Sequence, residues 1–137
     1  MLPYNLDHVA IAVRDLDASL ETYRTLYGSE PLHRGVVEEQ GVEEAMVPVG
    51  GSFVQLVSPI NPETPVGRFI ARRGEGLHHV AFAVADIGLA LETLRDTGAE
   101  LIDEVPRIGG RGAKIAFVHP RSFAGTLVEL VELEHRA

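Results

Sequence analysis

The run His8-Val9-Ala10-Ile11-Ala12-Val13 is short, apolar and rich in β-branched side chains, which predicts a strand. Asp15 follows as a helix cap. Leu16, Leu20, Tyr23 and Tyr27 then recur at helical spacing until Gly28 stops the helix. Three strands are predicted next, over residues 32–38, 43–48 and 52–58, with Gly41 and Gly50-Gly51 at the turns. The first half therefore reads βαβββ. Ser58 to Pro65 is a linker rich in proline and turn formers, and it leads into a short helix over 65–73 that ends at Gly74. The second half opens at Gly76. It predicts a strand over 77–84, a helix capped by Asp86 running through Arg95 toward Gly98, and strands near 100–102, 114–118 and 126–131. The loop Gly109-Gly110-Arg111-Gly112 lies between the first two of these strands. Only the last few residues read as disordered.

The two halves are copies of one unit. Leu6 to Arg24 and Leu77 to Arg95 are identical at eleven of nineteen positions, among them His8 with His79 and Asp15 with Asp86. SFVQLV at 52–57 matches TLVELV at 126–131. A period this long with two copies is not a solenoid. It predicts two fused modules related by a pseudo-twofold axis, each with one histidine on its first strand and one oxygen-bearing residue, Gln55 or Glu129, on its last.

That pairing carries chemistry. Side chains alternate along a strand, so Glu129 shares a face with Leu127 and Val131, and Gln55 shares one with Phe53 and Val57. A carboxylate buried there without a partner costs several kcal/mol. His8, Gln55, His79 and Glu129 together supply two imidazoles, an amide and a carboxylate. That set suits Co²⁺, Mn²⁺, Ni²⁺, Zn²⁺ or Mg²⁺ acting as a Lewis acid on a carbonyl. The alternative is that the four groups only hydrogen-bond one another. His78 points to the opposite strand face from His79, His119 lies at a strand end, and His33 and His135 carry no signal.

Composition narrows the reading. The chain has 137 residues, a net charge of −8 and no cysteine. The length allows a real core. Without cysteine there is no disulfide framework, thiolate site or cysteine nucleophile, which fits a cytoplasmic protein. The charge argues against nucleic acid as a partner, and no stretch approaches the ~18 apolar residues that span a membrane. Basic clusters at Arg68, Arg72 and Arg73, and at Arg107, Arg111, Lys114 and Arg121, suit a small anionic ligand.

With its ligand candidates on first and last strands, the βαβββ repeat resembles the vicinal oxygen chelate superfamily of glyoxalases, extradiol dioxygenases and fosfomycin-resistance enzymes. Four motifs resemble, more narrowly, the methylmalonyl-CoA epimerase branch over nearly the whole chain. They are Leu6-Asp7-His8-Val9-Ala10, Glu39-Gln40-Gly41-Val42-Glu43-Glu44, Gly76-Leu77-His78-His79-Val80-Ala81 and His119-Pro120-Arg121-Ser122. The resemblance implies an α+β fold in which the two βαβββ modules form a cupped, mostly antiparallel eight-stranded incomplete barrel. It implies one glyoxalase-like domain over 1–137, made of repeats 6–58 and 76–132 joined by linker 59–75, and a homodimer.

It further implies one divalent ion per chain on His8, Gln55, His79 and Glu129, with Co²⁺ foremost, and an acid/base role for Glu44. The implied reaction interconverts (2R)- and (2S)-methylmalonyl-CoA through a metal-stabilised enolate. A second acid/base must then act on the opposite face. Glu129 is the usual assignment, although a metal-bound carboxylate is a weakened base. Lys114, Arg121 and Ser122 are candidates for the coenzyme A phosphates or pantetheine. A glyoxalase-type isomerase on another thioester or thiol adduct, or a metal-free binding protein of the same fold, stays open as an alternative. An extradiol dioxygenase fits less well, since those relatives use three ligands.

Overall fold

Two aspartates begin the two repeat helices in the same way. Asp15 accepts the N–H of Ala18 at 3.0 Å and opens α1 (Leu16–Tyr27), and Asp86 accepts that of Leu89 at 3.0 Å and opens α3 (Ile87–Asp96). Each satisfies one of the helix's orphan amides. Gly28 ends α1 at φ 67°, a left-handed conformation open to glycine at little cost. The computed structural model describes residues 3–133. His135 and the tail read as disordered lie outside the described residues.

The strands are β1 (Asn5–Ala12), β2 (His33–Val37), β3 (Val42–Val49), β4 (Ser52–Pro59), β5 (Gly76–Ala83), β6 (Arg107–Ile108), β7 (Lys114–Val118) and β8 (Val128–Glu132). Between β4 and β5 lies α2 (Pro65–Arg73), with Thr64 as its cap and Gly74 at its end. Both halves are therefore βαβββ, and the class is α+β, as the sequence predicts. The sheet is mixed: β2, β3 and β4 pair antiparallel, as do β6, β7 and β8, while β5 and β8 are parallel.

The chain divides into two compact units, and the borders fall inside β1 and β5 rather than in the linker. One unit is Val9–His78. It holds β2-β3-β4 in hydrogen-bonded order, the later half of β1, and helices α1 and α2. Val13, Leu16, Leu20, Ala45, Val47 and Leu56 form one core cluster there, and Ala12, Val42, Val57, Val66 and Ile70 form another. The other unit combines the described residues up to His8 with those from His79 onward. It holds the early half of β1, most of β5, then β8-β7-β6, and α3. Val84, Ile87, Ala90, Leu91, Ala116, Val118 and Leu130 form its main core. Repeat equivalents occupy like places: Val13 donates its N–H to the Val57 carbonyl at 2.9 Å, and Val84 donates to that of Val131 at 2.9 Å.

One expected strand differs. Residues 100–102 form a single bridge, Leu101 with Val118, and the ladder along β7 resumes only at Arg107 and Ile108. Asp103 interrupts it. Its Oδ2 accepts the Phe117 N–H at 2.8 Å, and Pro106 brings no N–H of its own. Among the described residues, no helix is long and apolar enough to cross a membrane.

Candidate active site

His8 on β1, His79 on β5 and Glu129 on β8 are each at least 96% buried, because all three point to the inner face of apolar strands. Their donor atoms converge within one unit. His8 Nε2 is 3.3 Å from His79 Nε2, and Glu129 Oε1 is 3.0 Å from the first and 3.4 Å from the second. Three ligands about 2.1 Å from one ion, in tetrahedral or octahedral arrangement, lie about 3.0–3.4 Å apart. The triangle therefore has the size of one face of a coordination shell. Despite these short separations, Glu129 Oε1 has no aligned hydrogen-bond donor. A buried carboxylate oxygen left in that condition beside two ring nitrogens fits a cation better than a closed hydrogen-bond network. Phe117 packs edge-on against His79, with centroids 5.3 Å apart, and keeps that side apolar.

Behind His8 stands Asp7, whose side chain is buried too. The Asp7 Oδ2 accepts from His8 Nδ1 at 2.7 Å and from Arg111 Nη2 at 2.6 Å. Burial pushes the Asp7 carboxyl upward, but the His8 hydrogen bond and the Arg111 guanidinium outweigh it and hold the group below the usual carboxylate range. Burial likewise pushes His8 down, yet Asp7 and Glu129 raise it to about 9 in the metal-free protein. Glu129 is pushed up by burial and pulled further down by His79 and His8, to about 2. The pocket is thus built for a positive charge between these groups.

Gln55 and Glu44 lie in the other unit, on the paired strands β4 and β3. Gln55 Nε2 donates to Glu44 Oε2, so the amide is oriented with its oxygen released. Among the described residues, buried side-chain atoms without a hydrogen-bond partner are Glu44 Oε1, Gln55 Oε1, Glu129 Oε1 and Arg107 Nε. Three of the four belong to the residues singled out from the sequence as ligands or acid/base. Glu44 is 98% buried, so it is not the solvated strand carboxylate that its neighbour Glu43 is. His33, which carries no signal in the sequence, brings its Nε2 to 3.3 Å from Glu44 Oε1. No sequence pattern marked it: Gly35 lies directly opposite Glu44 in the ladder, and His33, two residues along, shares its strand face.

Of the two basic clusters read from the sequence, the cations of the second each face a carboxylate. Arg111 pairs with Asp7, Arg107 with Asp103 at 3.3 Å, Lys114 with Glu132 at 3.8 Å, and Arg121 with Glu100 at 3.5 Å. Ser122 Oγ accepts the Glu100 N–H at 2.9 Å. Lys114 and Arg121 remain well exposed. His119 accepts the Arg121 N–H as a turn cap, and His78 packs on the Phe69 ring, so both act locally.

Residues 7–117 match the model of the Glyoxalase/Bleomycin resistance protein/Dioxygenase superfamily. Methylmalonyl-CoA epimerase of Streptomyces coelicolor, solved as a substituted form in complex with 2-nitronate-propionyl-CoA, is 41% identical with a TM-score of 0.93, and the match covers 96% of each chain. A methylmalonyl-CoA epimerase solved with methylmalonyl-CoA and NH4+ is similar to the same degree and over the same extent. The ethylmalonyl-CoA/methylmalonyl-CoA epimerase of Cereibacter sphaeroides is 33% identical over 130 residues, which is 93% of this chain and 97% of that one.

Proposed function

Because the chain belongs to the Glyoxalase/Bleomycin resistance protein/Dioxygenase superfamily, we propose that it is an epimerase interconverting (2R)- and (2S)-methylmalonyl-CoA. The observation that carries this reading is likeness over 96% of the chain to epimerases solved with methylmalonyl-CoA or 2-nitronate-propionyl-CoA. The site supports it with a buried acid/base, Glu44, in addition to a His–His–Glu triangle.

His8, His79 and Glu129 would hold one divalent ion, and the released oxygen of Gln55 is proposed as its fourth protein ligand. Co²⁺ is the ion proposed, and Mn²⁺, Ni²⁺, Zn²⁺ and Mg²⁺ suit the same donors. When bound, the ion supplies a Lewis acid that offsets negative charge developing on the thioester oxygen. Glu44 removes the proton alpha to the thioester, and the electron pair of the broken C–H bond passes to that oxygen as an enolate. Burial keeps Glu44 out of bulk water, and the Gln55 amide holds one of its oxygens still, which leaves the other to meet the proton. Reprotonation on the opposite face completes epimerisation. Glu129 is the group proposed there, acting as a metal-bound carboxylate and therefore as a weakened base.

The exposed Lys114 and Arg121, with Ser122, are assigned to the coenzyme A end, where phosphate takes the place of Glu132 and Glu100 as their partner. The repeats 6–58 and 76–132, with linker 59–75, act as one domain, and the protein works as a cytoplasmic homodimer.

Proton NMR of methylmalonyl-CoA in deuterium oxide tests the reading. The expected result is loss of the C2 proton signal together with conversion of one epimer to the other. A C2 proton that persists in the presence of metal-loaded protein sinks it.

A further inference from the structure

We infer that Arg111 is a positioning residue for the metal centre, acting through Asp7 to present His8 Nε2 to the ion. The inference rests on the proposal that His8, His79 and Glu129 hold a divalent metal. Its basis is a connected set of contacts within one unit, from a loop that the sequence places 104 residues away from Asp7.

A neutral imidazole has one N–H and one lone pair. If the N–H is on Nε2, His8 cannot bind an ion there. Asp7 Oδ2 accepts from His8 Nδ1 at 2.7 Å, which places the proton on Nδ1 and leaves the Nε2 lone pair facing His79 and Glu129. Asp7 does this only while its carboxylate stays correctly rotated. Arg111 Nη2 donates to the same Oδ2 at 2.6 Å, which fixes that rotation. Asp7 is 98% buried and Arg111 is largely buried, so water cannot readily take the guanidinium's place.

The loop is shaped for that delivery. Arg111 has φ 62° and ψ 17°, a left-handed conformation that non-glycine residues hold only where the surroundings require it. Gly112 beside it is also left-handed, at φ 67°. A side chain at Gly109 would meet Ile115 at 2.9 Å, so glycine lets the loop lie down on the core. An arginine that served only as a surface cation would not need this backbone.

The test compares Co²⁺ affinity and the visible ligand-field spectrum of the wild type, Arg111→Ala and Asp7→Asn, with far-UV circular dichroism as a check of fold. The expected result is a loss of affinity of about 10- to 100-fold in Arg111→Ala, the scale for removal of an outer partner of a metal-ligating histidine. A shifted Co²⁺ spectrum and unchanged circular dichroism accompany it, and added guanidinium at a non-denaturing concentration restores binding. Asp7→Asn loses affinity as well and is not restored. Wild-type affinity and spectrum in Arg111→Ala overturn the inference while leaving the metal centre in place. If Arg111→Ala does not fold, undiminished affinity in Asp7→Asn overturns it instead. A wild type that binds no Co²⁺ overturns both this inference and the metal reading beneath it.

Discussion

At the scale of single residues, burial separates the carboxylates that do chemistry from those that solvate the surface. Glu43 and Glu44 are neighbours on β3, yet Glu43 pairs with Arg34 outside at 3.0 Å while Glu44 is inside against Gln55. The strand's alternation decides this, since adjacent side chains face opposite ways. Glu44→Gln keeps the shape and removes the basic oxygen. It should retain bound metal but lose epimerisation by at least about 10²-fold, the usual scale for a positioned acid/base. Turnover and metal content measured on the same preparation check this, and near-normal turnover would take Glu44 out of the reaction. His33 marks the limit of reading residue types alone. Its contact with Glu44 depends on the β2–β3 register, which sets Gly35 opposite Glu44 and His33 two residues along on the same face.

At the scale of elements, the repeat makes a quantitative claim. Asp15 and Asp86 cap their helices with the same bond at the same length. Asp15→Ala and Asp86→Ala should therefore each cost about 1 kcal/mol of stability. Urea denaturation measures both, and a midpoint unmoved by either substitution would show that the cap contributes nothing. The helices and most strands were legible because caps, stops and apolar periodicity are local signals. The strand expected at 100–102 was not. Its composition is strand-like, but Asp103 takes the N–H of Phe117 that a continuing ladder would use.

At the scale of the whole molecule, metal and protons compete for one nitrogen. His8 is raised from its ordinary 6.5 to about 9 in the metal-free protein, so it is charged at neutral pH. A raised folded-state pKa contributes stability that is complete below 6.5 and is lost as pH rises through about 9. Thermal melting of metal-free protein should therefore fall across that window. Metal binding needs the neutral ring. Ion uptake near neutral pH should release about one proton per ion and strengthen as pH rises toward 9. Calorimetry in buffers of different ionisation enthalpy checks this, and zero proton release would mean that His8 is neutral before the ion arrives. A second expectation concerns assembly. His8, His79 and Glu129 come from one chain, so mixing His79→Ala with Glu44→Gln protein should not restore turnover. Recovery would mean that chains share sites.

The sequence by itself determined the βαβββ repeat, its caps and stops, and the set of ligand candidates, because periodicity and internal duplication are written along the chain. It also singled out Glu44, through motif likeness rather than through any physical signal in the residues. Only the tertiary structure decided that Arg111 belongs to Asp7 and not to an anion-binding cluster, that His33 reaches Glu44, and that Asp7 orients His8. Each of these depends on residues brought together by strand register or loop conformation from separate parts of the chain. Charge type can be read from a letter. Which opposite charge it meets is settled by packing.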